Sequence, residues 1–158
     1  ALPQLFHVVG AVSGIGNALG ATFLPMHICV LLAGLYAGSR VGLIVGAVSP
    51  VISFLLTGMP GVALLPFMVI ELAVYGATCG AFKNSKMPTI FKLLIAQVSG
   101  RAVRAAAILI AVYAVGSTAV PISIIWLSIA EGLPGLILQW VLIPLVIYRT
   151  KNLNINKI

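Results

Sequence analysis

Long apolar runs separated by short turns organise this sequence from end to end. After an apolar segment at residues 1–10 and a Gly/Ser/Asn-rich stretch at 11–22, apolar runs cover residues 23–38, 41–56, 62–82, 90–115 and 121–148. Glycine, proline or charged residues mark every break between them. Apolar runs of about 20 residues are typical of membrane-spanning helices, and shorter ones are accommodated by local thinning of the bilayer.

The pattern therefore predicts an all-α integral membrane protein, a bundle of six transmembrane helices forming one domain over residues 1–158. Because the chain begins with Ala1 inside an apolar segment, we expect the first helix to be partly truncated.

Composition strengthens this interpretation and narrows the function classes. Hydrophobic residues make up 61% of the chain and charged residues only 7%, whereas soluble domains average roughly 25% charged residues. Cys29 and Cys79 both lie inside apolar runs, without the paired spacing of a metal site. No phosphate-binding loop, acidic pair for Mg²⁺ or protease motif is present. We therefore expect no enzyme activity, no catalytic residues, no cofactor, no metal and no nucleic-acid partner.

Basic residues in or beside the connections alternate from one connection to the next. They fall in three groups, at Arg40, at Lys83, Lys86 and Lys92, and at Arg149, Lys151 and Lys157. The connections at 11–22, 57–61 and 115–121 carry no charge. Since cytoplasmic loops are enriched in Lys and Arg, the alternation predicts that both termini are cytoplasmic.

Four ionisable residues remain within predicted spans: Glu71, Arg101, Arg104 and Glu131. Each would cost about 2.5 to 3.5 kcal/mol if it were unpaired at the centre of a span. Their charges sum to zero, so they could pair with each other, or they could line a polar cavity. We expect at least one Glu and one Arg to line such a cavity, because intramembrane charges commonly mark functional sites.

Other polar and aromatic residues lie toward the predicted extracellular half. His27 falls in the first turn of its helix, Asn17 lies in the uncharged first loop, and Gln97 is one turn before Arg101. Tyr75 could stack on a ring-shaped ligand. His27 could equally be a hydrogen-bonded helix start without a ligand. The candidate substrate-binding residues are thus His27, Glu71, Gln97, Arg101, Glu131, Asn17 and Tyr75.

The stretch G-N-A-L-G-A-T-F-L-P-M-H-I-C-V-L-L-A-G-L-Y-A-G, with R-V-G-L-I-V-G and S-P-V-I-S-F-L-L-T-G-M-P after it, resembles the S components of energy-coupling factor (ECF) transporters. The resemblance continues through F-M-V-I-E-L-A-V-Y-G and the S-G-R segment at 99–101. It implies a multi-pass protein of the bacterial plasma membrane that binds a vitamin-like small molecule extracellularly. It further implies a membrane-embedded coupling subunit and two cytoplasmic ATPase subunits as partners, and delivery by toppling of the S component within the bilayer.

Family members usually carry a small-residue docking motif near the start of the first helix, and we expect this sequence to begin too late to show it. Close helix packing explains its G-x-x-x-G pairs without any partner. The surface around Gly34, Gly38, Gly42 and Gly46 is the remaining candidate for partner binding.

The L-P-M-H form resembles members linked to hydroxymethylpyrimidine or pyridoxine, and a Glu suits the ring nitrogen and amino group of such ligands. An Arg instead suits a carboxylate ligand such as pantothenate. Two other classes stay open: a stand-alone secondary transporter, which the absence of a visible inverted repeat disfavours, and a structural membrane subunit without a ligand.

Overall fold

The computed structural model describes residues 25–58, 60–114, 116 and 121–155, and no β-strand occurs among them. The helices are α1 (Pro25–Ala37), α2 (Ser39–Thr57), α3 (Leu65–Ala81), α4 (Thr89–Tyr113) and α5 (Ser123–Ile155). They coincide with the apolar runs predicted from residue 23 onward, which confirms the all-α prediction for this part of the chain. The first predicted helix and the loop at 11–22 lie outside the described residues.

The end of α5 differs from the prediction. The apolar run ends at Tyr148, but the helix continues through the basic segment to Ile155. Neither glycine nor proline occurs between these two residues, so nothing in the local sequence forces the backbone out of the helical conformation. The apolar run therefore ends before the helix does.

Glycines in the left-handed backbone region form two of the breaks. Gly38 separates α1 from α2 with φ of 95°, and Gly58 follows α2 with φ of 70°. The Gly58 N–H donates to the carbonyl oxygen of Phe54 at 2.8 Å, which closes the last turn of α2. Side chains with a Cβ rarely adopt this conformation, so the two positions require glycine.

Helix α3 lies at the centre of the bundle, because α1, α2 and α4 all pack against it. A Cβ added to Gly34 would lie 2.5 Å from the carbonyl oxygen of Gly76, and one added to Gly42 or Gly76 would overlap the backbone of the other residue. The Ser39 hydroxyl also donates to the carbonyl oxygen of Ala77 at 2.8 Å. The missing side chains thus allow the helix backbones to touch, as in membrane helix pairs.

The outer surface is strongly apolar. Large side chains such as Leu55, Ile110 and Trp126 are about three-fifths to three-quarters exposed. Segment Ser39–Leu56 of α2 and the whole of α4 are long and apolar enough, by length and composition, to cross a membrane. Extensive exposed apolar surface is typical of contact with lipid or with another protein.

The basic residues gather at one end of the bundle. Arg40 lies at the start of α2, Lys83 follows α3, and Lys92 lies in the first turn of α4. Late α5 reaches the same end, because the Tyr36 hydroxyl at the end of α1 is hydrogen-bonded to Thr150. This grouping agrees with the alternation of charge in the sequence, while the cytoplasmic position of this end stays a prediction.

The glycine contact between α2 and α3 yields a first testable prediction. Gly42→Ala should lower the free energy of unfolding by about 1 to 3 kcal/mol, because its methyl group would overlap the backbone of Gly76. Thermal unfolding of the purified protein in detergent measures the effect. Gly61→Ala is the matched control, since a Cβ there meets nothing within 4 Å. Equal destabilisation by both variants would contradict the proposed contact.

Candidate functional site

The Glu71 carboxylate is the centre of a buried polar cluster between α3 and α4. The residue is only 1% exposed. The Tyr75 hydroxyl donates to its Oε1 at 2.9 Å, and Arg104 Nη1 donates to its Oε2 at 2.9 Å. Both carboxylate oxygens therefore have a donor, and one of these donors carries the compensating charge. Such pairing offsets part of the cost of placing the acid in an apolar bundle.

Helix spacing and one glycine explain how Tyr75 reaches this position. Tyr75 follows Glu71 by four residues, so the two side chains lie on the same face of α3. Gly100 of α4 lies directly against the tyrosine ring, and a Cβ at Gly100 would overlap the ring carbons. Any larger residue at position 100 would therefore displace the ring and its hydroxyl.

His27 adds a third helix to the cluster. Its ring centroid lies 5.3 Å from that of Tyr75, with the ring planes tilted by 59°, and the residue is 2% exposed. Its Nδ1 is buried, and no hydrogen-bond partner for it occurs among the described residues. Leaving a buried polar atom unsatisfied costs about 1 to 3 kcal/mol. Nδ1 is therefore an atom to which a bound molecule could supply the missing hydrogen bond.

The two arginines of α4 occupy different places in the cluster. Arg104 forms the ion pair with Glu71, and its buried Nε has no hydrogen-bond partner among the described residues. Arg101, one turn earlier, interacts electrostatically with Tyr75 and His27. One carboxylate and two guanidinium groups therefore belong to the cluster.

A second polar group links α4 to α5. Gln97 Nε2 donates to Gln139 Oε1 at 2.9 Å, and Trp140 Nε1 donates to Gln97 Oε1 at 2.8 Å. Gln139 is fully buried, and its Nε2 has no hydrogen-bond partner among the described residues. Both ends of the Gln97 amide are used in this link, so its hydrogen bonds lie with α5 and not with Glu71.

The cluster offers polar groups that could orient a bound molecule. No group of three His, Cys, Asp or Glu side chains in the described part of the chain could hold a metal ion. The cluster instead combines fixed donors, a paired carboxylate and two aromatic rings within an apolar bundle. Such sites are typical of small-molecule binding, where a few polar groups fix the orientation of the ligand.

Comparison with known proteins identifies the family. A protein-family model described as "ECF transporter, substrate-specific component" matches residues 5–147, which is most of the chain. The chain belongs to this family. It is therefore a membrane protein and the substrate-binding subunit of an ECF transporter, and the family is not one of enzymes. No curated protein and no solved structure matches the chain.

In this S component, four of the predicted substrate-binding residues come together. His27, Glu71, Tyr75 and Arg101 belong to the cluster on α1, α3 and α4. Gln97 lies one turn farther along α4 and contacts α5. Asn17 lies outside the described residues, and for Glu131 only the backbone, within α5, is described.

The four predicted partner-binding glycines have different surroundings. Gly34, Gly42 and Gly46 lie against the backbone of α3. The absence of a side chain at these positions therefore serves helix packing within the chain. Gly38 forms the turn between α1 and α2, with open space around its Cα. Docking of the S component through this surface stays a prediction.

Three residues with a role in these polar groups were missing from the predicted set. Arg104 was recognised as an intramembrane charge, but only Arg101 was included in the predicted set. The spacing of the two arginines in the sequence offers no criterion for choosing between them. Gln139 is the one amide side chain in the run 121–148, which was a usable signal. The role of Trp140 depends on Gln97, on a different helix, and no local pattern predicts it.

The Glu71–Arg104 ion pair yields a second prediction. Glu71→Gln or Arg104→Met alone should destabilise the S component by about 3 to 5 kcal/mol, because each leaves an uncompensated buried charge. The double variant should lose less than the sum, with a coupling of about 0.5 to 3 kcal/mol. Thermal unfolding in detergent measures all four proteins, and Lys86→Gln serves as an exposed control. Strictly additive losses would show that the pair is not coupled.

Proposed function

We propose that this S component captures a water-soluble vitamin or vitamin precursor on the extracellular side, with hydroxymethylpyrimidine or pyridoxine as the best candidates. The observation that carries the proposal is the buried cluster of Glu71, Tyr75 and His27, in which the His27 Nδ1 has no partner among the described residues. His27 lies in the first turn of α1 and Glu71 in the first half of α3, toward the helix ends opposite the basic end. A molecule entering from that side would approach these two residues.

The chemistry of the cluster suits a flat heteroaromatic ring. The rings of Tyr75 and His27 offer apolar faces for a ligand ring, and aromatic pairs of this kind contribute about 0.5 to 1.5 kcal/mol beyond burial. A pyrimidine or pyridine also carries ring nitrogens and amino or hydroxyl groups that exchange hydrogen bonds with a carboxylate or an imidazole.

A second candidate is a carboxylate-bearing vitamin such as pantothenate. The specific observation in its favour is the presence of two guanidinium groups, those of Arg101 and Arg104, in the buried cluster. Guanidinium groups bind carboxylates through paired, charge-assisted hydrogen bonds. Other vitamins with an anionic group would suit the site for the same reason.

Transport follows from the assembly that the family forms. We infer a six-helix protein of the bacterial plasma membrane with both termini cytoplasmic, joined to a membrane-embedded coupling subunit and two cytoplasmic ATPases. Toppling of the whole S component would carry the enclosed ligand between the two sides. A polar site surrounded by an apolar outer surface is compatible with this motion, because the surface stays in contact with lipid as the protein tilts.

The decisive experiment combines identification of the ligand with a transport assay. The protein is purified alone, co-purified small molecules are identified by mass spectrometry, and affinities are measured across a panel of vitamins that includes pyrimidine, pyridine and carboxylate ligands. Nanomolar binding of one vitamin, with uptake into liposomes only when the coupling subunit and ATPases are present, supports the proposal. Uptake by the protein alone, driven by a proton gradient, would instead support a stand-alone secondary transporter.

A third prediction tests whether the His27 side chain binds the ligand or only supports the fold. His27→Phe should leave the melting temperature unchanged or slightly higher, because an apolar ring replaces a side chain whose buried nitrogen has no partner among the described residues. The same change should weaken ligand binding by about 1 to 3 kcal/mol, since the ligand loses its partner. Isothermal titration calorimetry and thermal unfolding provide the two measurements. Unchanged affinity would show that His27 does not contact the ligand.

A further inference from the structure

A separate cavity of about 240 Å³ lies at the basic end of the bundle, away from the Glu71 cluster. Its walls come from the end of α1, the connection between α3 and α4, the first turn of α4 and late α5. Lys83, Asn84, Thr89 and Lys92 provide a polar wall, and Leu35 and Ile147 provide an apolar one. We call this space the Lys83–Lys92 cavity.

Lys92 is the unusual member of the lining. A lysine in the first turn of a helix beside a polar loop is normally solvated, yet this one is only 8% exposed. Its Nζ donates to the carbonyl oxygen of Lys83 at 3.1 Å, which satisfies a hydrogen bond but leaves the charge in place. No salt bridge joins Lys83 or Lys92 to an acidic side chain in the described part of the chain.

The surroundings increase the positive potential of the cavity. The N-terminus of α4 begins at Thr89, within the lining, and a long helix places a partial positive charge at that end. Lys86 lies nearby in the loop but does not line the cavity. The cavity is thus a partly enclosed cationic site with one apolar wall.

We propose that the Lys83–Lys92 cavity binds an anionic phosphate ester, namely the headgroup of an acidic phospholipid at the membrane surface. The lysines and the start of α4 would hold the phosphate, and the wall of Leu35 and Ile147 would contact the first acyl carbons. Basic pockets between membrane helices on the cytoplasmic side are known to hold such headgroups. The proposal requires only that these helix ends lie at a membrane surface, and it is independent of which vitamin is transported.

Two features favour a lipid over a free phosphate ion. The wall is partly apolar, which an inorganic ion does not need, and the cavity lies among helices whose outer surfaces are exposed and apolar. A lipid headgroup is also tethered to the bilayer by its acyl chains, so it reaches the cavity at a high local concentration.

The test uses the full chain in detergent, with native mass spectrometry of bound lipid. The protein is mixed with equal amounts of phosphatidylglycerol and phosphatidylcholine that carry the same acyl chains. We expect phosphatidylglycerol adducts to dominate, and Lys83→Gln to reduce this preference about five-fold, the effect of one lysine near a charged surface. Lys92→Met, which keeps the aliphatic stem, should have a similar effect. Lys83 is exposed, so its variant should fold even if the Lys92 variant does not.

Lys86→Gln is the matched control, because it removes the same charge from the same loop but outside the cavity. If each cavity lysine contacts the headgroup directly and raises the preference for phosphatidylglycerol about five-fold, Lys86→Gln should change that preference less than two-fold. Equal losses for Lys83→Gln and Lys86→Gln would overturn the proposal in favour of diffuse attraction. No preference for phosphatidylglycerol, combined with stabilisation by millimolar inorganic phosphate that Lys83→Gln abolishes, would overturn the lipid and assign the cavity to a free phosphate.

Discussion

The buried carboxylate of Glu71 imposes the constraint on which the rest of the S component depends. An acid inside an apolar bundle must have its charge compensated and its oxygens hydrogen-bonded, and Arg104 and Tyr75 supply both requirements. These contacts fix the rotation of α3 about its own axis. They also fix the position of α4 along the length of α3. Once α3 is oriented in this way, its glycine positions face α1 and α2, and those helices approach until their backbones touch.

Two faces of helix α3 therefore make different kinds of contact, one through glycine and one through polar side chains. Gly76 and its neighbours allow contact with α2 through small residues alone, since apolar surface provides no driving force between helices in lipid. Glu71 and Tyr75 place strong polar interactions toward α1 and α4. Among the described residues, α5 contacts α4 and α1, and its polar link runs through Gln97, Gln139 and Trp140.

The sequence predicted the helices well because their boundaries depend on local chemistry. Gly38, Gly58 and the charged turns interrupt the apolar runs, and the described helices lie between them. The pairing of an intramembrane Glu with an Arg was also foreseeable from charge balance. Which Arg forms the pair depends on the offset between α3 and α4, which Gly100 and the Tyr75 ring determine through packing.

The burial of Lys92 was missed for a similar reason: the pattern places it beside a loop, but the tertiary fold encloses it.

The same coupling of site and fold limits what substitutions can reveal. Glu71 and Arg104 hold the bundle together, so weaker binding after their removal would not distinguish a contact with the ligand from a disturbed fold. His27 differs from them, because none of the described contacts depends on its Nδ1 and its ring could be replaced by another aromatic one. A polar atom that is buried without a partner among the described residues calls for an explanation beyond the described contacts. The histidine in the L-P-M-H stretch is therefore the residue at which binding can best be separated from folding.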